Sequence, residues 1–451
     1  MIRFITEYLI EWKNRSHKKP LIVRGARQVG KTYTIEKFGK ENYNKLVKIN
    51  FEETPNLKPF FQTNDVEQIM QNLEIFLGIK IKNSETLLFL DEIQTCPEAI
   101  VVLRYFYEKM PDLHIIAAGS LLDHTLNDMQ YSMPVGRVEF AYMYPLNFYE
   151  FLIAVGEKSL VDFLKQYKIE KQIPLPIHEK LMKFVRLYFF IGGMPEAVEI
   201  FAQTNSLIDV ERIHESIIKS LEFDFSKYGT RSQQNIMTKL LKYIPRTIGQ
   251  KFKYVNFDNS TRSDVTKKAL NLLSMSRIIQ LIRHTKASGL PLENNVVEKT
   301  FKPIFLDIGL ANHVLKLRLT DIEQINLNNE GSLAEQFVGQ ELLCQPPYFS
   351  ENEIYYWMRE KRNSEAEIDY LTQNKNMIVP IEVKAGKTGT LKSLQVFVNE
   401  KNIEIAIRFN SNVPSVAEID TSLKINKEMK NVNFKLISLP LYLVGEYRNF
   451  L

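Results

Sequence analysis

Between Leu21 and Phe38 the pattern of apolar and polar positions changes twice. The apolar run LIVR gives way to the glycine-framed turn GARQVGKT, and then to TYTIEKF, where apolar positions recur at helical spacing. The pattern predicts a buried strand handing over to a helix. Two later apolar runs, TLLFLD ending at Asp91 and LHIIAAGS from Leu113, read as further buried strands. Strands that are apolar throughout and alternate with helical stretches predict a parallel sheet covered on both faces.

From about residue 160 to 228 the apolar spacing is near 3.6, clearest in EKLMKFVRLYFF and DVERIHESIIKSLEFDF, so a helical segment follows. Within it, GGMPEAV reads as a turn into a helix with Pro195 at its first position. SDVTKKALNLLSMSRIIQLIRH predicts a helix followed by a β-rich run, with TKASGLPLENN as a wing-like loop. Near the C-terminus, EAEIDYLTQNKNMIVPIEVKAGKT alternates with period two on either side of Lys375-Asn376, which predicts a hairpin.

Length and composition change this picture modestly. The chain has 451 residues, 45% of them apolar, enough for three or four domains. The charged share of 25% is ordinary for a globular chain and excludes wholesale disorder. A net charge of +5 permits an acidic partner such as nucleic acid without requiring one. Cys96 and Cys344 are far apart and lack metal-ligand spacing, which fits a reducing cytoplasm. The first residues carry Glu7 and Glu11 among apolar positions, unlike a secretory segment. The most apolar stretch, from Leu187, is broken by two glycines and Pro195, so no membrane span is expected.

Candidate chemistry starts in the glycine-framed turn. Gly25, Ala26, Arg27, Gln28, Val29, Gly30, Lys31 and Thr32 fit GxxxxGK[ST], and Tyr33 follows in the first helical turn. In such a loop the glycines let backbone N–H groups face a pyrophosphate, and the helix aims its positive end at the same point. Lys31 would reach the terminal phosphates, and Thr32 would hold magnesium. Asp91, at the end of an apolar run about sixty residues downstream, would hold the metal through water. Glu92 beside it would polarise an attacking water. Ser120 is placed to sense the terminal phosphate, or equally to cap the next helix. Arg137, after a glycine, is the candidate guanidinium for the transferred phosphoryl group, with Arg104 as its rival.

With these residues in view, 20 to 155 resembles the ATPase domain of a bacterial and archaeal family of AAA+-type or STAND-like ATPases. The carriers are RGARQVGKT, FLDEIQ, AAGS and GRVEFAYMYPLNFYEF. Members carry a conserved C-terminal domain called DUF4143, and the resemblance extends through IGGMPEAV, FKPIFLDIGLANHVL, GSLAEQFVGQELL and PIEVKAGKTGTLKSL. It implies ATP and Mg²⁺ as ligands, and no NKxD-type guanine-reading motif follows the strands.

The hairpin raises a second chemistry. Alternation puts Glu365, Glu367 and Asp369 on one face, and Glu382 with Lys384 on one face of the second strand. With Lys375-Asn376 as the turn, Asp369 lies opposite Glu382 at about 5 Å, a pair that repels without a cation between them. The spacing D…ExK resembles the PD-(D/E)xK nuclease superfamily, which implies Mg²⁺-dependent phosphodiester cleavage. In that resemblance Asp369 and Glu382 hold metal, Lys384 steadies hydroxide or phosphate, and Glu335 on a preceding helix completes the set. Glu335 also fits a capping box with Ser332, and Glu341 is a rival inward-pointing acid.

The expectation is therefore an α/β protein. A P-loop ATPase core spans 1–155, a helical lid 156–230, a winged-helix-like unit 231–320 and a restriction-endonuclease-like domain 325–451. In the winged-helix-like unit Arg262, Lys267, Lys268, Arg283 and Lys286 would meet phosphates of branched or duplex DNA, or simply face solvent. The expected function is a Mg²⁺-dependent ATPase coupled to a nuclease-like, DNA-binding domain. The other expectation is a nucleotide-dependent switch whose C-terminal domain binds a partner without cleaving it. Homo-oligomers and intramolecular domain contacts are both compatible with either.

Overall fold

The computed structural model describes residues 1–120, 122, 136–227, 229–317, 330–359, 366–384, 391–425 and 428–451. The chain divides into two compact units. The first comprises 1–145 with the short segments 275–278 and 346–351, and the second comprises 146–274, 279–345 and 352–451.

The first unit is built on a five-stranded sheet: β1 (Leu21–Arg24), β2 (Lys45–Asn50), β3 (Thr86–Asp91), β4 (His114–Gly119) and β5 (Glu139–Tyr142). Their order is β2-β3-β4-β1-β5, with every neighbouring pair parallel. β3 and β4 are buried along their whole length, as their unbroken apolar runs require. The helix Ile5–Asn14 buries Ile5, Tyr8, Leu9 and Trp12, a three-to-four spacing that makes one apolar stripe. Because β1 lies between β4 and β5 while β3 lies on the other side of β4, the carboxyl ends of β1, β3 and β4 form one edge. Ligand groups of an open parallel sheet gather at such an edge.

The second unit begins with helices Phe148–Ala154, Leu175–Ile191, Pro195–Thr204, Leu207–Asp224 and Arg231–Tyr243. Its sheet holds β6 (Ile279–Thr285), β7 (Val296–Phe305), β8 (Tyr355–Met358), β9 (Glu367–Asn374), β10 (Met377–Val383), β11 (Ile405–Asn410), β12 (Ser415–Ile425) and β13 (Glu428–Pro440). The order is β12-β13-β11-β10-β9-β8-β6-β7, with parallel and antiparallel pairs mixed. The hairpin of β6 and β7, which sequence suggested as part of a winged-helix-like unit, is thus continuous with the C-terminal strands through β8.

The motifs that connect the two chemistries turn out to be a buried polar lattice. Asp307, fully buried, accepts hydrogen bonds from Gly193 N (2.6 Å), Leu310 N (3.1 Å) and Gln340 Nε2 (3.2 Å). Gln340 Oε1 accepts from Ile308 N at 2.9 Å, and Gln336 bonds both the N–H and the carbonyl of Phe305 at 2.8 Å. Glu341 Oε1 accepts from Phe148 N at 2.9 Å. Burial pushes Asp307 up to about 6 and Glu341 to about 8. The glycine pair is demanded by close approach: a Cβ on Gly192 would stand 2.0 Å from Asp307 Oδ1, and one on Gly193 would stand 2.0 Å from Leu146 O. Buried amides require partners, and here side chains supply them where β7 ends and where helices begin or end.

Candidate nucleotide site and acidic cluster

The loop after β1 is held in the curled form that the motif predicts. Gln28 and Gly30 take left-handed backbone angles, φ 64° and 89°, and Gly30 sits at the N-cap of the helix Lys31–Asn42. No side chain caps that helix start, so its first N–H groups remain available to an anion. Lys31 is 8% exposed, and its Nζ donates to the loop's own carbonyls, Gly25 O at 2.9 Å and Ala26 O at 2.7 Å. Burial pushes Lys31 down to about 8; Glu92 and Asp91 pull the other way, while Arg277 and Arg27 deepen the fall. Tyr33 is exposed at 53%, and its hydroxyl accepts from the Met1 amino group at 3.3 Å.

Thr32 Oγ1 lies 3.2 Å from Asp91 Oδ1 and 3.1 Å from Oδ2. A hydroxyl and a carboxylate brought together from the start of a helix and the end of β3 are the hard oxygen donors that magnesium takes. Asp91 is 3% exposed, and Lys48 Nζ lies 3.5 Å from its Oδ2. Burial and the neighbouring Glu92 raise the Asp91 carboxyl above its ordinary range, against the pull of Lys48. The donor set fits a divalent ion, which would supply the charge that this carboxylate lacks.

Glu92 follows in a left-handed conformation, φ 51° and ψ 43°, costly for a residue with a Cβ. Its Oε2 accepts from Gln94 Nε2 at 2.6 Å. Gln94 is 8% exposed, and its Oε1, buried beside Gly119, has no hydrogen-bond partner among the described residues. Sequence reasoning passed over Gln94; its place two residues after a candidate base, in a turn, was the available signal. Ser120, the sensor candidate, is buried just after β4; most of the helix that it was equally placed to cap lies outside the described residues.

The two rival arginines converge on one acid. Arg104 Nε and Arg137 Nε each lie 3.0 Å from Glu108 Oε1, and both side chains are about half exposed. An arginine that was not singled out is better enclosed. Arg277, 8% exposed, reaches Glu351 Oε1 at 2.5 Å and lies 5.1 Å over the Tyr142 ring, which Arg24 also faces at 5.5 Å.

In the second unit the hairpin forms with the expected register. Lys375-Asn376 is the turn, Tyr370 pairs with Ile381, and the next step sets Asp369 against Glu382. Asp369 Oδ2 accepts from Val383 N at 2.7 Å. Lys384 Nζ lies 2.5 Å from Glu382 Oε1. Burial pushes Glu382 up to about 8, with Asp369 adding and Lys384 opposing. Glu365 lies outside the described residues.

The structure departs from expectation at Glu335. The helix Glu330–Leu343 already contains Ser332, so the pair makes no capping box, and Glu335 Oε1 meets Lys302 Nζ at 2.9 Å. Lys302 also touches Glu367 and lies 3.9 Å from Asp369 Oδ1. A cation thus stands against Glu335 and Glu367 and near Asp369, while Glu382 is paired with Lys384. Among the described residues no group of three or more His, Cys, Asp and Glu side chains is arranged to hold a metal ion. Glu341, the rival acid, serves the polar lattice instead.

Comparison with known proteins places these features. Residues 17–152 match the family model of an AAA domain, 182–321 match a domain of unknown function (DUF8612), and 330–441 match a domain of unknown function (DUF4143). The fold is that of an AAA+ P-loop ATPase joined to an α/β region with a mixed sheet. The chain carries an AAA domain and a C-terminal DUF4143 domain. The curated proteins hold no match to it.

Solved structures similar to it include the Aeropyrum pernix ORC2 protein in ADPNP–ADP complexes. The two share 12% identity over 72% of this chain and 94% of that one, with a TM-score of 0.36. The Aeropyrum pernix ORC1 protein in complex with DNA shares 10% over 69% and 90%, TM-score 0.27. AMPPCP-bound DnaA from Aquifex aeolicus shares 12% over 60% and 86%, TM-score 0.26. Among the described residues no helix is long and apolar enough to cross a membrane.

Proposed function

We propose that this protein binds and hydrolyses ATP with Mg²⁺ at the edge formed by β1, β3 and β4, and that turnover governs a C-terminal domain that binds its partner without cleaving it. The observation that carries the ATPase reading is the meeting of Thr32 and Asp91 at 3.1–3.2 Å beside a buried Lys31. Loop N–H groups from Gly25 to Thr32 hold the phosphates. Lys31 leaves the carbonyls of Gly25 and Ala26 and donates to the terminal phosphates, where an anion restores the proton affinity that burial removed. Magnesium, when bound, would supply positive charge against that of the phosphates. Thr32 and Asp91 hold it, Gln94 fixes the Glu92 carboxylate, and Glu92 accepts a proton from the attacking water. The unpartnered Gln94 Oε1 is a second acceptor for that water. Ser120 is the proposed reader of the terminal phosphate.

Arg137, 44% exposed, is the guanidinium we assign to phosphoryl charge in a neighbouring copy of a homo-oligomer, on release from Glu108. DNA is the proposed partner. Arg262, Lys267, Lys268, Arg283 and Lys286 are all exposed and supply the phosphate contacts. The non-cleaving reading is favoured over nuclease action by Lys302 among the acids.

Phosphate release from ATP in magnesium and in EDTA tests the first claim: turnover only with magnesium is expected, and equal rates in both would refute it. Branched and linear duplex DNA added to the same assay should raise turnover and stay intact. Cleavage that Asp369→Ala removes would establish the nuclease reading in its place.

A further inference from the structure

Lys302 is the feature that neither chemistry absorbs. It lies on β7, is 1% exposed, and stands 5.2 Å over the Tyr356 ring as well as against three carboxylates. Those carboxylates arrive from separate elements: Glu335 from the helix Glu330–Leu343, and Glu367 and Asp369 from β9. An isolated buried lysine loses its proton because burial disfavours charge. Here burial also opposes the charge, yet the three acids outweigh it and hold Lys302 protonated above its ordinary range. The same ammonium counters only part of the upward push that burial exerts on Glu335, whose carboxyl stays above its ordinary range.

Two further oxygens of the set have partners of their own. Asp369 turns Oδ2 to Val383 N, and Glu382 turns Oε1 to Lys384 Nζ. Among the described residues Glu382 Oε2 is buried without a hydrogen-bond partner. Divalent magnesium or manganese takes oxygen ligands at about 2.0–2.1 Å in octahedral geometry, whereas an ammonium donates three hydrogen bonds at longer range. Glu335 and Glu367 meet the Lys302 ammonium at contact range and Asp369 Oδ1 stands 3.9 Å away, a spread that suits an ammonium rather than a close octahedral shell.

We propose that Lys302 is the resident cation of this acidic set, that it excludes a divalent ion from the place between Glu335 and Asp369, and that removing its ammonium opens a divalent-metal site there. The proposal rests on reading the C-terminal domain as non-cleaving, and it goes further by naming what fills the site. Lys302 joins β7 to the helix Glu330–Leu343 and to β9, so it also neutralises the charge that would drive these elements apart.

The test is Mn²⁺ titration of the nucleotide-free full chain, with free Mn²⁺ followed by electron paramagnetic resonance. Wild type and Asp369→Asn should take up equal amounts. Lys302→Met should gain one Mn²⁺ per chain, lost again in Lys302→Met/Asp369→Asn, and its melting temperature should rise with Mn²⁺ while that of wild type does not. Lys302→Arg, which keeps the charge, should bind no more than wild type.

Uptake by wild type that Asp369→Asn abolishes would overturn the proposal, as would a folded Lys302→Met that gains no site. Should Lys302→Met fail to fold, wild type against Asp369→Asn still decides. DNA cleavage without Mn²⁺ uptake at this site would sink the non-cleaving reading and leave Lys302 in place. Asp369-dependent uptake without cleavage would do the reverse.

Discussion

Glu92→Gln should slow ATP turnover by about 10²–10⁴-fold, the usual contribution of a positioned general base, while leaving nucleotide affinity within a few-fold of wild type. The substitution keeps the shape and still pairs with Gln94, whose Nε2 lies 2.6 Å from Glu92 Oε2. What it removes is the capacity to accept a proton. The left-handed backbone at Glu92 holds the side chain where β3 ends, so little rearrangement is available to replace it. Single-turnover phosphate release, together with equilibrium binding of a fluorescent ATP analogue, separates the two effects. Unchanged turnover would remove Glu92 from the mechanism and shift attention to Gln94.

Asp307→Ala should cost the second unit about 2–6 kcal/mol, from two buried N–H donors left unpaired at about 1–3 kcal/mol each. The donors are Gly193 N at 2.6 Å and Leu310 N at 3.1 Å, and the side chain between them is fully buried. Asp307→Asn keeps an accepting oxygen and should lose much less. The chain has two tryptophans, Trp12 in the first unit and Trp357 in the second, so Trp357 fluorescence in a Trp12→Phe background reports the second unit alone. Urea unfolding followed in that background should show the midpoint of Asp307→Ala far below that of Asp307→Asn. Coincident curves would mean that this lattice is not what holds the unit together.

Local patterns carried much of this architecture. The phosphate loop was legible because its chemistry is contiguous: glycines, lysine and threonine must follow one another for a backbone to wrap phosphates. Asp91 was legible only beside that loop, since an apolar strand ending in an acid is weak evidence alone and gains weight from a phosphate loop about sixty residues upstream. The hairpin register followed from period-two alternation and a two-residue turn, and it set Asp369 against Glu382 as the spacing required. Arg277 and Lys302 were hidden because their partners lie far along the chain. Arg277 meets Glu351, and Lys302 meets Glu335, Glu367 and Asp369. A lysine inside the apolar run FKPIFLD was the one local sign, since such a residue is buried only when paired. The connecting motifs IGGMPEAV and FLDIGLA carried no visible chemistry because their role is to pair buried amides with Asp307, Gln336 and Gln340.

Equilibrium binding of a fluorescent ATP analogue in magnesium to wild type and Lys31→Ala tests the central claim most directly. Wild type should bind one nucleotide per chain, and the variant should bind at least about tenfold more weakly, as loss of a charge-assisted hydrogen bond of about 1.5–3 kcal/mol requires. Equal affinity in the two proteins would contradict a phosphate site at this loop.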